Sequence, residues 1–294
     1  MDQSRAPSLL EFWRRPRLAT GRFAPLRISE WIGWLCLMVV LSFIAEAIGY
    51  LMLHLLGHAI PNDRFINHMA SHPSWRFAAL LLVAPVLEEL TFRCFLTESP
   101  RAMAVGMGFF GAFLIGLLIH GLMALAGKHF LSTQDIAWHY FINLAIALPI
   151  IAVQAGVAWF FRRGLLRALR RYAAWAFWIS ALLFAAAHSF NFGLGFKDWL
   201  LWLTLPQLMV GLVLAYLRVR YGLRWSIATH LAFDWILVLL LWTHHDATTM
   251  GLPMKLLAGV FSLLLLAMIV RGLFFLFRRG VLRTVLPEEV AVPR

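Results

Sequence analysis

Apolar runs of about 20 residues recur from one end of this chain to the other. A run of that length, wound as an α-helix, spans a hydrocarbon layer of about 30 Å. Inside lipid a helix also satisfies its own backbone polar groups, which an open strand cannot do. Eight such runs stand at residues 31–56, 77–97, 103–126, 137–161, 173–190, 198–217, 225–243 and 254–277. Hydrophobic residues make up 62% of the 294 and charged residues 14%, against roughly 45–50% and 25% in soluble domains. The expected fold class is therefore all-α, a polytopic membrane helical bundle of about eight transmembrane helices. The sequence shows no internal repeat and no low-complexity segment.

The formal net charge of +12 would suggest nucleic acid in a soluble protein. Here the basic residues follow the span count. Arg5, Arg14, Arg15, Arg17, Arg22 and Arg27 precede the first run, and Arg162, Arg163, Arg167, Arg170 and Arg171 follow the fourth. Arg218, Arg220 and Arg224 follow the sixth, and Arg278, Arg279, Arg283 and Arg294 follow the eighth. Loops after odd-numbered runs are poor in Lys and Arg. This alternation is what the positive-inside rule requires, and it puts both termini in the cytoplasm. The expected organisation is a basic cytoplasmic arm over 1–30, a transmembrane helical domain over 31–277 with a motif-bearing core at 77–243, and a cytoplasmic tail over 278–294. No stretch has the basic-aromatic pattern of a nucleic-acid binder. Cys36 and Cys94 both lie in apolar runs and form no disulfide framework. The first run is too long for a signal-peptide core, so it reads as an uncleaved span.

Ionisable groups inside a span cost roughly 2.5–3.5 kcal/mol each and are functional candidates by default. Three clusters resist assignment to loops. In "APVLEELTFRCFL", Glu89 and Arg93 are four apart and stack on one helix face, acid before base, which is the favourable order. Glu88 lies about 100° around the helix and needs a partner from elsewhere. In "ALLFAAAHSF", Phe184 and His188 share a face, with Ala185, Ala186 and Ala187 allowing close helix approach. In "SIATHLAFDW", His230 and Asp234 share a face, so a carboxylate can orient an imidazole one turn away. Each cluster alone also suits a bland role, as a buried ion pair or a hydrogen-bonded bundle residue. Together they supply what carboxylate-driven or metal-assisted hydrolysis needs: a Glu as general base, and His with carboxylate ligands for a zinc ion.

The order E-E-x-x-x-R, F-x-x-x-H, H-x-x-x-N/D, each on its own helix, resembles the CPBP family of CAAX-protease and bacteriocin-processing (Abi) intramembrane peptidases. That family includes the type II CAAX prenyl endopeptidases. The resemblance covers residues 77–243. It implies an intramembrane endopeptidase acting on a membrane-associated peptide or protein, either prenylated or of leader-peptide type. By the same resemblance, Glu88 activates water with His188 as its partner, and His230 and Asp234 stabilise the oxyanion or complete the site. Glu89 and Arg93 support the first motif helix. The metal option adds Zn on Glu88, His188 and His230. Asp234 departs from the Asn of many members: an ionised Asp cannot donate to an oxyanion. Asp234 is therefore protonated, or orients His230, or binds metal.

Two rival readings use the same residues. One is a proton- or ion-coupled transporter with Glu, His and Asp as a relay. The other is a non-catalytic, partner-binding or immunity-type membrane protein. Outside the motifs, Glu46, His54, His58 and His120 read as paired bundle polar groups. The "HHD" at His244, His245 and Asp246 is metal-like in composition only.

Overall fold

The computed structural model describes residues 9–20, 23–58, 75–125, 136–189, 200–245 and 252–278. Among these residues the chain is all-α, apart from one isolated bridge between Ala19 and Thr97. Its helices are α1 (Leu9–Arg14), α2 (Ile28–Leu55), α3 (Trp75–Phe92), α4 (Pro100–Leu125), α5 (Ile136–Phe160) and α6 (Arg162–Arg171). They continue with α7 (Ala173–Ala187), α8 (Leu200–Leu203), α9 (Leu205–Tyr221), α10 (Leu223–His245) and α11 (Leu252–Arg278). A helix forms at each of the eight apolar runs. Two of them, α2 and Pro100–Ile119 of α4, are long and apolar enough to cross a bilayer, and Ile146–Phe160 with Arg162–Arg171 is a third, bent candidate. The eight runs expected from the sequence are thus helical, while among the described residues two to three helices meet the length and composition of a span. Helices α3 and α10 carry ionisable motif residues and α9 carries Arg218 and Arg220, which dilute their apolar character, and α7 has only 15 residues.

Large apolar side chains point outward along the long helices. Leu51 is 56% exposed, Leu118 62%, Val153 68% and Leu263 67%. So much outward apolar surface is the mark of a protein solvated by lipid rather than water.

Three chain breaks position the site. The first ends α3 at Phe92, five residues before the end of the apolar run. Arg93 and Cys94 both donate their backbone N–H to the Glu89 carbonyl, at 3.0 Å each, and Leu96 N–H closes the turn on the Arg93 carbonyl at 3.1 Å. The carbonyls freed by this ending are collected by side chains: Ser180 donates to Phe92 O, and Arg218 donates to Arg93 O at 3.2 Å and to Cys94 O at 3.4 Å. Gly106 permits α4 to lie against the turn, since an added Cβ would sit 2.3 Å from the Phe95 nitrogen.

The second break divides the sixth run at Thr204. Pro206 stands in the first turn of α9, where its missing N–H is harmless but cannot continue a preceding helix. The third is Gly222, with φ +97°, a backbone region that glycine enters without a Cβ penalty. Gly222 N–H bonds the Leu217 and Arg218 carbonyls and turns the chain into α10.

Helix α9 is the centre of the core: Val213, Leu214 and Leu217 have no exposure, and the helix packs against α2, α7 and α10. The N-terminal arm joins this core. Phe12 stands edge-on to Phe177 at 5.1 Å and to Tyr216 at 5.4 Å, and Trp13 donates to the Leu212 carbonyl. Ala19 then exchanges backbone hydrogen bonds with Leu96 and Glu98, which pins the arm to the turn after α3.

Candidate active site

Because α3 stops at Phe92, Glu88 and Glu89 fall in its last turn rather than at mid-span. Helix α10 begins at Leu223, so His230 lies two turns into it. These two placements bring the motifs level. His230 is 3% exposed and stands between both glutamates. Its Nδ1 is 3.1 Å from Glu89 Oε1, and its Nε2 is 3.5 Å from Glu88 Oε2. Asp234 Oδ1, one turn further along α10, lies 3.8 Å from the same Nε2. The first is a hydrogen bond and the other two are ionic approaches.

Glu89 is the anchor of the arrangement. It is fully buried, and a buried carboxylate needs charge and hydrogen-bond partners on every side. Arg93 Nη1 meets its Oε1 at 3.0 Å, as the i,i+4 spacing predicts. Ser226 lies within hydrogen-bonding reach of Oε2, and its hydroxyl is also 2.9 Å from the Leu214 carbonyl. An ionised carboxylate only accepts, so His230 presents Nδ1–H to Glu89. A proton on Nδ1 is thereby required, and Nε2 faces Glu88 and Asp234. Glu88 keeps 29% of its side chain accessible, and Asp234 28%. The Nε2 side of His230 is therefore the open side.

Arg93 is stacked rather than forked. Its guanidinium carbon is 3.9 Å from the centre of the Phe184 ring. Apart from the ionic contact with Glu89, its buried nitrogens have no aligned hydrogen-bond acceptor among the described residues. Gly211 leaves room for this stack: an added Cβ would lie 3.0 Å from both Arg93 Nη2 and Phe184 Cδ1.

Phe184 also separates the two histidines. Its ring centre is 4.7 Å from that of His188 and 5.8 Å from that of His230. His188 caps the end of α7 and donates Nδ1–H to the Phe184 carbonyl at 2.8 Å. Its ring lies within electrostatic reach of His230 and Asp234. The pairing expected from the family resemblance was Glu88 with His188; the residue beside Glu88 is His230.

Glu88, Glu89, Arg93, His230 and Asp234 are thus brought together directly, and His188 joins them across Phe184. The zinc expectation on Glu88, His188 and His230 has the right donor chemistry. Among the described residues, however, no group of three His, Cys, Asp or Glu side chains is arranged to hold a metal ion.

Ser226, Arg218 and Gly211 were not singled out from the sequence. Ser226 was within reach, standing four residues before His230 on the same helix face. Arg218 reads as a topology charge until α9 is seen to bury it, at 3% exposure.

Elsewhere, Tyr50 donates to Glu46 at 2.8 Å, as the paired-polar reading expected. His54 and His58 are exposed. The His120, His244 and His245 side chains and all of Asp246 lie outside the described residues.

An all-helical integral membrane protein with a buried Glu–His site is the class these features define. Residues 142–236 match the family model Rce1-like, described as type II CAAX prenyl endopeptidase Rce1-like. This match supports the CPBP/CAAX-protease family, to which the three motifs had pointed. The match takes in α7, α9 and the His230–Asp234 motif; the glutamate motif lies upstream of it and meets it in space. No curated protein and no solved structure matches the chain.

Proposed function

We propose that this protein is an intramembrane endopeptidase in which Glu88 activates water to attack a peptide bond. The observation that carries this reading is the placement of His230, held on Nδ1 by buried Glu89 and presenting Nε2 to half-buried Glu88 and Asp234. Glu88 is the accessible carboxylate of the pair and suits a general base. It takes a proton from water as the oxygen bonds to the peptide carbonyl carbon, and later returns that proton to the leaving amine as the C–N bond breaks. His230, carrying protons on both nitrogens beside Glu89, offers Nε2–H to the oxyanion that develops on the carbonyl. Glu89 stabilises this imidazolium, and Arg93 keeps Glu89 ionised and in place. Asp234 adds negative charge near Nε2 and favours the same imidazolium. His188 borders the site across Phe184.

The proposed substrate is a membrane-associated peptide or protein, and prenylated CAAX peptides are the first to test. Zn on Glu88, His188 and His230 is an alternative proposal, in which His230 would bind through an unprotonated Nε2 in place of offering Nε2–H, and the ion would polarise the scissile carbonyl or its water. The test is cleavage of a farnesylated fluorogenic peptide by the full chain in detergent or liposomes. Glu88→Gln and His230→Gln should each lower the rate by about 10²–10⁴-fold while the protein stays folded. Equal rates for wild type and both variants would rule the mechanism out. Metal analysis of the same preparation, with a chelator series, tests the zinc proposal.

A further inference from the structure

Helix α6 is not used by the site, and its geometry is unusual for a connection between spans. It leaves α5 at 84°. If α5 crosses the bilayer at the modest tilt usual for a span, α6 lies in the plane of the membrane. Its ten residues, RRGLLRALRR, divide by face. Leu165, Leu166 and Leu169 pack against the core, while Arg163, Arg167, Arg170 and Arg171 are exposed. No Asp or Glu occurs anywhere from Trp159 to Trp175.

Both ends of α6 are bordered by exposed aromatic rings. Trp159 is 41% exposed, Phe160 77% and Phe161 59% at the start; Tyr172 is 51% and Trp175 69% at the end. Such rings settle at the boundary between acyl chains and headgroups. Arg162 and Arg171 stack on Trp159 and Tyr172, at 4.5 and 5.4 Å, which places guanidinium charge at the same level. Arg170 has a protein partner, Glu98, at 3.1 Å.

We infer that α6 is an interfacial helix that binds the phosphate headgroups of anionic phospholipids through Arg163, Arg167 and Arg171. An in-plane helix with leucines inward, a row of arginines outward and aromatic rings at both ends is complementary to an anionic lipid surface. Guanidinium groups also match phosphate oxygens in geometry. Glu98 lies in the turn after α3 that Ala19 also holds, so the bound headgroups would sit beside the segment that ends the glutamate helix.

The test uses the purified full chain in neutral-lipid nanodiscs carrying traces of pyrene-labelled phosphatidylglycerol or phosphatidylcholine. Energy transfer from tryptophan reports enrichment of each lipid around the protein. The wild type should enrich phosphatidylglycerol over phosphatidylcholine. Arg163→Gln/Arg167→Gln/Arg171→Gln should lower that preference by about an order of magnitude or more. The same three positions changed to Lys should keep most of it. Arg14→Gln/Arg15→Gln/Arg17→Gln in the arm, which removes equal charge elsewhere, should reduce it by less than the α6 triple. Equal wild-type enrichment of both lipids would overturn the proposal. Equal losses from the arm and α6 triples would overturn it too, because net charge alone would then explain the effect.

Discussion

Replacing Arg93 with methionine removes the guanidinium and keeps a side chain that reaches about as far as Arg93 Nε. The consequence follows from three contacts. Arg93 and Glu89 are both fully buried and 3.0 Å apart, which corresponds to about 5 kcal/mol of attraction at an effective dielectric of about 20. The stack on Phe184 at 3.9 Å adds up to about 2 kcal/mol in a desolvated setting. Against this, Arg93→Met relieves the burial of a cation, and Glu89 retains His230 and Ser226. Removing one partner of a buried pair costs about 3–5 kcal/mol in general, and the remaining partners of Glu89 favour the lower end. We therefore expect a destabilisation of about 3 kcal/mol. The double variant Glu89→Gln/Arg93→Met should be less unstable than the two single effects added, with a coupling of about 2 kcal/mol. Equilibrium unfolding of the purified protein in mixed micelles, followed by tryptophan fluorescence, measures all four corners of the cycle. A loss below about 1 kcal/mol for Arg93→Met, or a coupling near zero, would show that Glu89 is not held by this pair.

Three further outcomes follow from the same geometry. Gly211→Leu should lower both stability and peptide cleavage, by about 1–3 kcal/mol in stability, because its Cβ alone would press on Arg93 and Phe184; unfolding and initial rates check it. Arg218→Gln should destabilise by about 1.5–3 kcal/mol, since two carbonyls at the end of α3 lose their charged donor. If that turn is held by other means, the unfolding midpoint will not move. Asp234→Asn should retain cleavage within about tenfold, because its carboxylate is 3.8 Å from His230 Nε2, beyond a hydrogen bond; a loss of a thousandfold in the peptide assay would show that the charge itself is required.

The helical spacing of the motifs was legible before any tertiary contact was known. Glu89 and Arg93 at i,i+4 pair as written, and His230 and Asp234 share a face as written. His188 and His230 were both candidate partners of Glu88, and the choice between them was not legible, because it depends on how α3, α7 and α10 pack. Sequence hydropathy runs on to residue 97; the helix ends at Phe92 because Ser180 and Arg218, from two other helices, collect the freed carbonyls. In the packed chain the glutamates stand beside His230 on α10, and His188 lies on the far side of Phe184. Likewise the basic arm carries a Phe and a Trp whose burial no local pattern announces, because their pocket is built by α7 and α9.

By itself the sequence determined the helices, the apolar solvation of their outer faces and the residue types of the site. These rest on periodicity and composition, which are local. Only the tertiary structure decided which carboxylate is sealed and which is open. Glu88 and Glu89 are neighbours of identical chemistry. Glu89 is enclosed by Arg93, Ser226 and His230, while Glu88 keeps part of its surface accessible. That difference arises from packing among helices distant in sequence.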